Sequence, residues 1–288
     1  MPNLLAIDIG GTRIKYALIK NQNVLGVKNV ESAAGNGGPA LVQQIQTLVA
    51  EVRDQSAITG VAISTAGQVD SRTGIVTYAG DTIPNYINTD WVEALKKVDS
   101  KLVVSVENDV NCALLAELRP ADHYTAMITV GTGIGGAMAI GDQILHGANN
   151  SMGEIGYLPL GGETYEQRAS TSALVAATQR LYPDRPISGY TVFELESESE
   201  KVADLLKEYF DELARGLQLI LLVFPANRLI IGGGIAENPT FVPRLTERLR
   251  PLLPPWLNKV EIDRASYGNT AGLIGAARHW QQEYQPSV

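Results

Sequence analysis

Two stretches of this chain share one pattern, a strand, a glycine turn and a returning strand, and that repeat restricts the fold more than any other feature. The first runs Leu4-Leu5-Ala6-Ile7-Asp8-Ile9, then Gly10-Gly11-Thr12, then the alternating residues 14–19. The second covers residues 126–130, then Gly131-Thr132-Gly133, then residues 134–140, with Gly135 and Gly136 inside the returning strand. Period-two alternation punctuated by glycine reads as two hairpins. A repeated hairpin points to a two-lobed protein built by duplication.

Helical and strand patterns alternate around these hairpins. Residues 39–55, 91–98 and 109–118 read as helices, and residues 60–64 and 102–106 as strands. In the second half, residues 165–180, 194–222, 239–249 and 271–282 read as helices, and residues 229–231 and 260–262 as strands. This alternation defines an α/β protein whose sheets are covered by helices. The stretch around Pro120 marks the expected boundary between an N-terminal lobe, residues 1–120, and a C-terminal lobe, residues 121–288. The last helix is a candidate to pack back on the first lobe.

Charge and composition narrow the function. With 23 Lys and Arg against 31 Asp and Glu, the net charge of −8 opposes binding to a phosphate backbone, so nucleic acid is not an expected partner. Apolar stretches fall short of the ~20 residues that a membrane helix needs. Asp8 and Gly10 interrupt any signal-like start, so a soluble, cytoplasmic protein with no membrane contact is expected. The single cysteine, Cys112, cannot form an internal disulfide and reads as a buried small hydrophobe. His123, His146 and His279 show no zinc-ligand spacing. The acidic run 194–200 reads as a solvated loop or helix start.

Three glycine clusters and one polar knot carry the candidate chemistry. Asp8-Ile9-Gly10-Gly11-Thr12 combines a carboxylate at the end of a buried strand, glycines that admit an anion to the backbone N–H groups, and a hydroxyl. A phosphate or its Mg²⁺ suits that set, and so does a plain tight hairpin. Gly131-Thr132-Gly133-Ile134-Gly135-Gly136 reads the same two ways; β-pattern residues follow it, so it is not a dinucleotide fingerprint. Gly232-Gly233-Gly234 follows a strand and could let a base and ribose lie on bare backbone. Taken together, three strand-terminating clusters favour a nucleotide site. In Glu107-Asn108-Asp109-Val110-Asn111, Asp109 is either a helix cap or a general base, ionised at neutral pH with an ordinary pKa near 4.

These segments occur in one order with Ile63-Ser64-Thr65-Ala66-Gly67-Gln68-Val69-Asp70 and Gly153-Glu154-Ile155-Gly156. The ordered set resembles the ROK family of sugar kinases and repressors over nearly the whole chain. The resemblance implies an actin-like, ribonuclease-H-like sugar kinase fold of two lobes, with ATP and a sugar in the cleft between them. It casts Asp109 as the base that activates a sugar 6-hydroxyl, with Asn108, Glu154 and Glu166 on the sugar hydroxyls and Asn85, Thr65 and Gly67 facing the sugar. It assigns the phosphates to Asp8, Gly10, Gly11, Thr12 and Arg13 and to Gly131, Thr132, Gly133 and Gly135. Asp8 would meet Mg²⁺ through those phosphates, and Gly232, Gly233 and Gly234 would lie near the adenosine. A homodimer is also implied. The first hairpin begins at Leu4, so no helix-turn-helix is expected ahead of it.

One segment departs from the pattern. Most members of the family place a His after the Gly-Glu-x-Gly step and follow it with a Cys-rich zinc loop. Here Tyr157 holds that place, facing the sugar, and Leu158-Pro159-Leu160-Gly161-Gly162-Glu163 carries no Cys, so no zinc is expected. Residues 78–86 and 166–174 are most similar to zinc-lacking bacterial N-acetylmannosamine kinases, whereas residues 104–112 and 153–157 are similar to β-glucoside kinases. N-acetylmannosamine is therefore the favoured sugar. The alternatives are a β-glucoside kinase or glucokinase and, from another class, a sugar-sensing regulator without a DNA-binding domain.

Overall fold

The structure is a computed structural model and describes residues 3–20, 23–80 and 82–285. Asp81, within the 78–86 segment, lies outside the described residues. Contacts group the chain into two units, the first made of residues up to Glu117, His146–Ser151 and the chain from Asn269 on, the second of Leu118–Leu145 and Met152–Gly268.

The first unit is built on β1 (Leu4–Ile9), β2 (Arg13–Lys20) and β3 (Asn23–Glu31), followed by helix α1 (Gly38–Gln55) and strand β4 (Gly60–Thr65). A small separate hairpin, β5 (Gln68–Asp70) and β6 (Ile75–Tyr78), and helix α2 (Trp91–Lys96) precede β7 (Val103–Asn108) and α3 (Asp109–Glu117). The sheet order is β3-β2-β1-β4-β7, with β1 antiparallel to β2 and parallel to β4. Alternation within β1 explains why both faces need cover. Leu5, Ile7 and Ile9 join the core formed with α1, while Leu4 and Ala6 point to the opposite core.

The second unit repeats that plan. β8 (Tyr124–Val130), β9 (Ile134–Ile140) and β10 (Gln143–Ile144) are followed by the short hairpin β11 (Pro159–Leu160) and β12 (Glu163–Thr164). Helices α4 (Tyr165–Ala169), α5 (Thr171–Leu181), α6 (Gly189–Leu195) and α7 (Glu200–Val223) come next, then β13 (Arg228–Gly232), α8 (Phe241–Leu249) and β14 (Glu261–Arg264). The order β10-β9-β8-β13-β14 places an antiparallel hairpin beside parallel strands, as in the first unit. Tyr209, Phe210 and Phe241 form tilted and edge-on ring pairs in its core.

The final helix, α9 (Ala271–Tyr284), belongs to the first unit. Leu273, Ala276, Ala277 and Trp280 cover Leu4, Ala6 and Ala62. A Cβ on Gly60 would lie 2.7 Å from the Trp280 ring, so only glycine lets the indole lie on β4. Among the described residues, no helix is long and apolar enough to cross a membrane.

Two helices expected to be continuous are divided. Residues 165–180 form α4 and α5 because the Ser170 hydroxyl accepts the Ala173 N–H and starts a new helix. The 194–222 segment is also two helices, α6 beginning at Gly189 under the Ser188 cap and α7 beginning at Glu200. β3 had no sequence signal, since almost all of it is exposed and no buried alternation marks it.

Candidate active site

β7 ends at the polar knot and α3 begins there, so Asp109 sits where strand becomes helix. The cap is not Asp109. Asn108 Oδ1 accepts the N–H groups of Val110 and Asn111 at 2.9 and 3.1 Å, while its Nδ2 donates to the Gly67 carbonyl and to Asp109 Oδ1. Asn108 is therefore committed to holding the turn. Asp109 Oδ1 also accepts the Val110 N–H, at 2.9 Å. Burial of the carboxyl, reinforced by the negative charge of Asp8, pushes the pKa of Asp109 up to about 6, above the ordinary carboxylate value assumed from sequence.

Asp8 is held from three sides within the first unit. Ser64 Oγ donates to Oδ1 at 2.7 Å, and Lys15 Nζ lies 3.7 Å from Oδ2. Gly272, at the start of α9, seats the carboxylate, for a Cβ there would collide with Asp8 Oδ1. Neither Ser64 nor Gly272 was identified as a site residue from sequence. Ser64 is legible as the strand partner of Asp8, but Gly272 has no local signal at all. The Gly10 N–H closes the turn on the Arg13 carbonyl at 3.0 Å, and the Arg13 guanidinium rests on Asn29 of β3. Thr12 and Gly11 are exposed beside it.

Not every expected sugar contact in this unit is available. Thr65 is fully buried and its hydroxyl is hydrogen-bonded to the Tyr86 hydroxyl at 2.5 Å, so it supports the 65–67 loop and cannot face a sugar. Gly67, at φ +94°, offers its carbonyl to Asn108. Asn85 is exposed in the left-handed region, φ +54°, which Asn tolerates better than other non-glycine residues.

The second unit holds a cavity of about 350 Å³ lined by Gly131, Thr132, Val175, Phe193, Gly234 and Ile235, among others. The lining is mostly apolar with a few hydroxyls, as a nucleoside pocket requires. Gly131 and Gly234 have ordinary negative-φ backbone and nothing within 4 Å of where a Cβ would be, so folding alone gives no reason for glycine at either position. The other glycines of the clusters have packing reasons. Gly233, at φ +90°, lies on the Val130 carbonyl, and a Cβ on buried Gly232 would meet Met127. Gly133 and Gly156 lie against Glu166, whose Oε2 accepts the Ile134 N–H at 2.9 Å. Gly232, Gly233 and Gly133 thus serve the packing, and Gly135 pairs with Thr129 inside the sheet. Val175 and Phe193 were missed in sequence because each sits on an amphipathic helix where apolar residues ordinarily mean core.

Glu154 precedes and Tyr157 ends a 3₁₀ turn over Ile155–Tyr157, both exposed, with Gly153 packed on the Gly136 carbonyl. Glu166 meets the β8–β9 turn at Gly133 and Ile134 and also lies against Gly156, between Glu154 and Tyr157 in the chain. The β11–β12 loop beyond them is pinned by Arg168, which donates to Glu163 at 3.2 Å and to Glu212 at 3.1 Å. Among the described residues, no cluster of three or more His, Cys, Asp or Glu could hold a metal ion by itself. Asp8 is a single carboxylate of the kind that would meet Mg²⁺ through substrate phosphates, since the ion is usually held by one or two carboxylates together with such phosphates.

The sequence matches the ROK family over residues 4–283, and the chain belongs to that family. A β-glucoside kinase of Klebsiella pneumoniae is 30% identical, covering 98% of this chain and 97% of its own. The fold matches a Listeria monocytogenes protein described as a candidate N-acetylmannosamine kinase, with TM-score 0.88, 28% identity and 98% and 99% coverage. It also matches a ROK glucokinase of Streptomyces griseus in complex with glucose and AMPPNP, with TM-score 0.80, 25% identity and 96% and 98% coverage.

Proposed function

We propose that this sugar kinase transfers the terminal phosphoryl group of ATP to the 6-hydroxyl of a hexose or N-acetylhexosamine, with N-acetylmannosamine as the first candidate. The observation that carries the reading is Asp109. Its capping duty is taken over by Asn108, and its pKa of about 6 suits a base that must accept a proton near neutral pH. Asp109 takes the proton as the hydroxyl oxygen attacks in line, and no covalent intermediate on the protein is needed. Gly131, Thr132 and Gly234 receive the nucleotide in the 350 Å³ cavity. Asp8 is the residue that would hold Mg²⁺ through the substrate phosphates, where the ion would supply neutralisation of their charge. Glu154, Tyr157, Glu166 and Asn85 are the residues assigned to the sugar hydroxyls, and Asn108 supports the base rather than the sugar.

The choice of sugar rests on residues 78–86 and 166–174, supported by the Listeria neighbour. A β-glucoside is the second reading, favoured by the 30% identity to the Klebsiella enzyme. A coupled ADP-release assay with Mg²⁺-ATP and N-acetylmannosamine, N-acetylglucosamine, glucose, mannose and cellobiose separates them. Preference for N-acetylmannosamine supports the first reading and preference for cellobiose the second. Silence on all five, with ATP still bound, would overturn the kinase reading in favour of a sensor.

A further inference from the structure

A buried carboxylate stands one residue before the site and takes no direct part in the chemistry above. Glu107 is fully buried at the end of β7. Its Oε1 accepts the Asn108 backbone N–H at 2.7 Å and Asn111 Nδ2 at 2.9 Å. Its Oε2 lies 2.6 Å from His146 Nε2 and 3.8 Å from His279 Nε2. His146 comes from the six-residue segment His146–Ser151, which groups with the first unit although the chain on either side of it belongs to the second. A carboxylate without such partners would not remain buried and charged.

We propose that Glu107 and His146 form a positioning pair for the base: the carboxylate, locked against the imidazole, fixes the backbone at Asn108, and Asn108 in turn holds the Asp109 carboxylate. This rests on the reading of Asp109 as the base. Each link is a hydrogen bond, from His146 to Glu107, from the Asn108 N–H to Glu107, and from Asn108 Nδ2 to Asp109 Oδ1. With His146 Nε2 protonated, both Glu107 oxygens face donors, and only the ionised carboxylate satisfies all of them. A protonated acid or an amide must turn a hydrogen toward Asn108 and Asn111 or toward His146.

Polar or titratable groups reach Glu107 from several elements, including Ser64, its register partner on β4. α3 contributes Asn111, with Cys112 and Asp109 close by; α9 contributes His279, itself 3.5 Å from Glu283; the His146 segment contributes the imidazole, whose Nε2 also lies 3.5 Å from Ser71 Oγ, with the Asp70 charge nearby. Burial alone would raise the Glu107 pKa, but the hydrogen bond from His146 and the nearness of His279 hold it below the ordinary value. The same contact raises His146.

The test compares Glu107→Gln, His146→Ala and His146→Gln with Asp109→Asn, using Mg²⁺-ATP and N-acetylmannosamine or whichever panel sugar turns over fastest. Misplacing the base by a fraction of an ångström should lower kcat about 10–100-fold in Glu107→Gln, with the KM for ATP within about two-fold of the parent. His146→Ala should move the acid limb of kcat to higher pH, because Glu107 then protonates sooner, and His146→Gln, which restores a neutral donor, should return most of the loss. The His146 side chain is 29% exposed, so its variants do not depend on repacking a core. NMR titration of the His146 ring gives a readout without turnover, and Glu107→Gln should move it down toward the ordinary imidazole value. A dead Asp109→Asn beside parental pH profiles in both His146 variants would overturn the pair and leave the base intact. Parental turnover in Asp109→Asn would overturn the base reading itself. A His146 titration indifferent to Glu107→Gln would overturn the pair whatever the turnover.

Discussion

The two five-stranded sheets share one strand order, yet their hairpin turns are built for different work. In the first, the pair Ile9–Ile14 closes a turn of four residues, Gly10 to Arg13, and the preceding pair places Asp8 opposite Lys15. In the second, Val130–Ile134 closes a turn of three, and the equivalent pair is Thr129 opposite Gly135. A charged carboxylate in one unit is thus matched by a hydroxyl in the other. The first turn is surrounded by Ser64, Lys15 and Gly272, which fix a charge. The second opens at Gly131 on a largely apolar cavity. The shared strand order puts a glycine turn at one end of each sheet, and the residues packed around it differ in charge and polarity.

Substitutions can break that contrast, the most damaging first. Asp109→Asn should lower kcat by about 10³-fold, within the range general-base catalysis contributes, while nucleotide affinity measured by calorimetry stays near the parent's. Gly234→Leu projects a side chain into the cavity and should raise the KM for ATP about 10–100-fold with the melting temperature little changed, because the position has room and ordinary φ. An unaltered KM would remove Gly234 from the nucleotide site. Gly272→Ala and Gly131→Ala sharpen the contrast further. The first forces a methyl against Asp8 and should cost about 1–3 kcal/mol in denaturant unfolding, whereas the second meets nothing within 4 Å and should be neutral in stability.

The pH dependence follows from Asp109 and has two opposite signs. Its carboxyl is ionised only above about pH 6, so kcat/KM should rise through pH 6 and level off above it. For stability, a folded-state pKa above the unfolded value means that the buried carboxyl favours the fold while protonated and loses that contribution as pH rises through about 6. Asp109→Asn should therefore exceed the parent in stability by on the order of 2 kcal/mol at pH 8 and lose this advantage near pH 4, as read by denaturant unfolding at the two pH values.

Much of this was legible in the sequence because it is local. Both hairpins, the α/β alternation and the helix start at Asn108-Asp109 depend on period and on short-range capping, and they stand where the pattern places them. The glycine clusters were legible as clusters but not residue by residue. Only coordinates separate Gly131 and Gly234, which have open space, from Gly133, which seats Glu166, and Gly233, which lies on a backbone carbonyl. Thr65 misled for a related reason, since its hydroxyl meets Tyr86, a residue far enough along the chain to leave no mark in a local motif. The partners of Asp8 and Glu107 on α9, Gly272 and His279, were invisible for the same cause.

That helix also sets an order of events during synthesis. The Trp280 indole donates to the Val103 carbonyl across a sequence separation of 177 residues, and the same ring fills the hollow left by Gly60. Until α9 leaves the ribosome, Leu4, Ala6 and Ala62 have no cover on that face and Asp8 has no Gly272 beneath it. The unit that carries Asp109, though begun first, is completed last, after the whole of Met152–Gly268 has been made. Ribosome-bound chains stalled before α9 should therefore expose an apolar sheet face to chaperones and lack an ordered Asp8 seat.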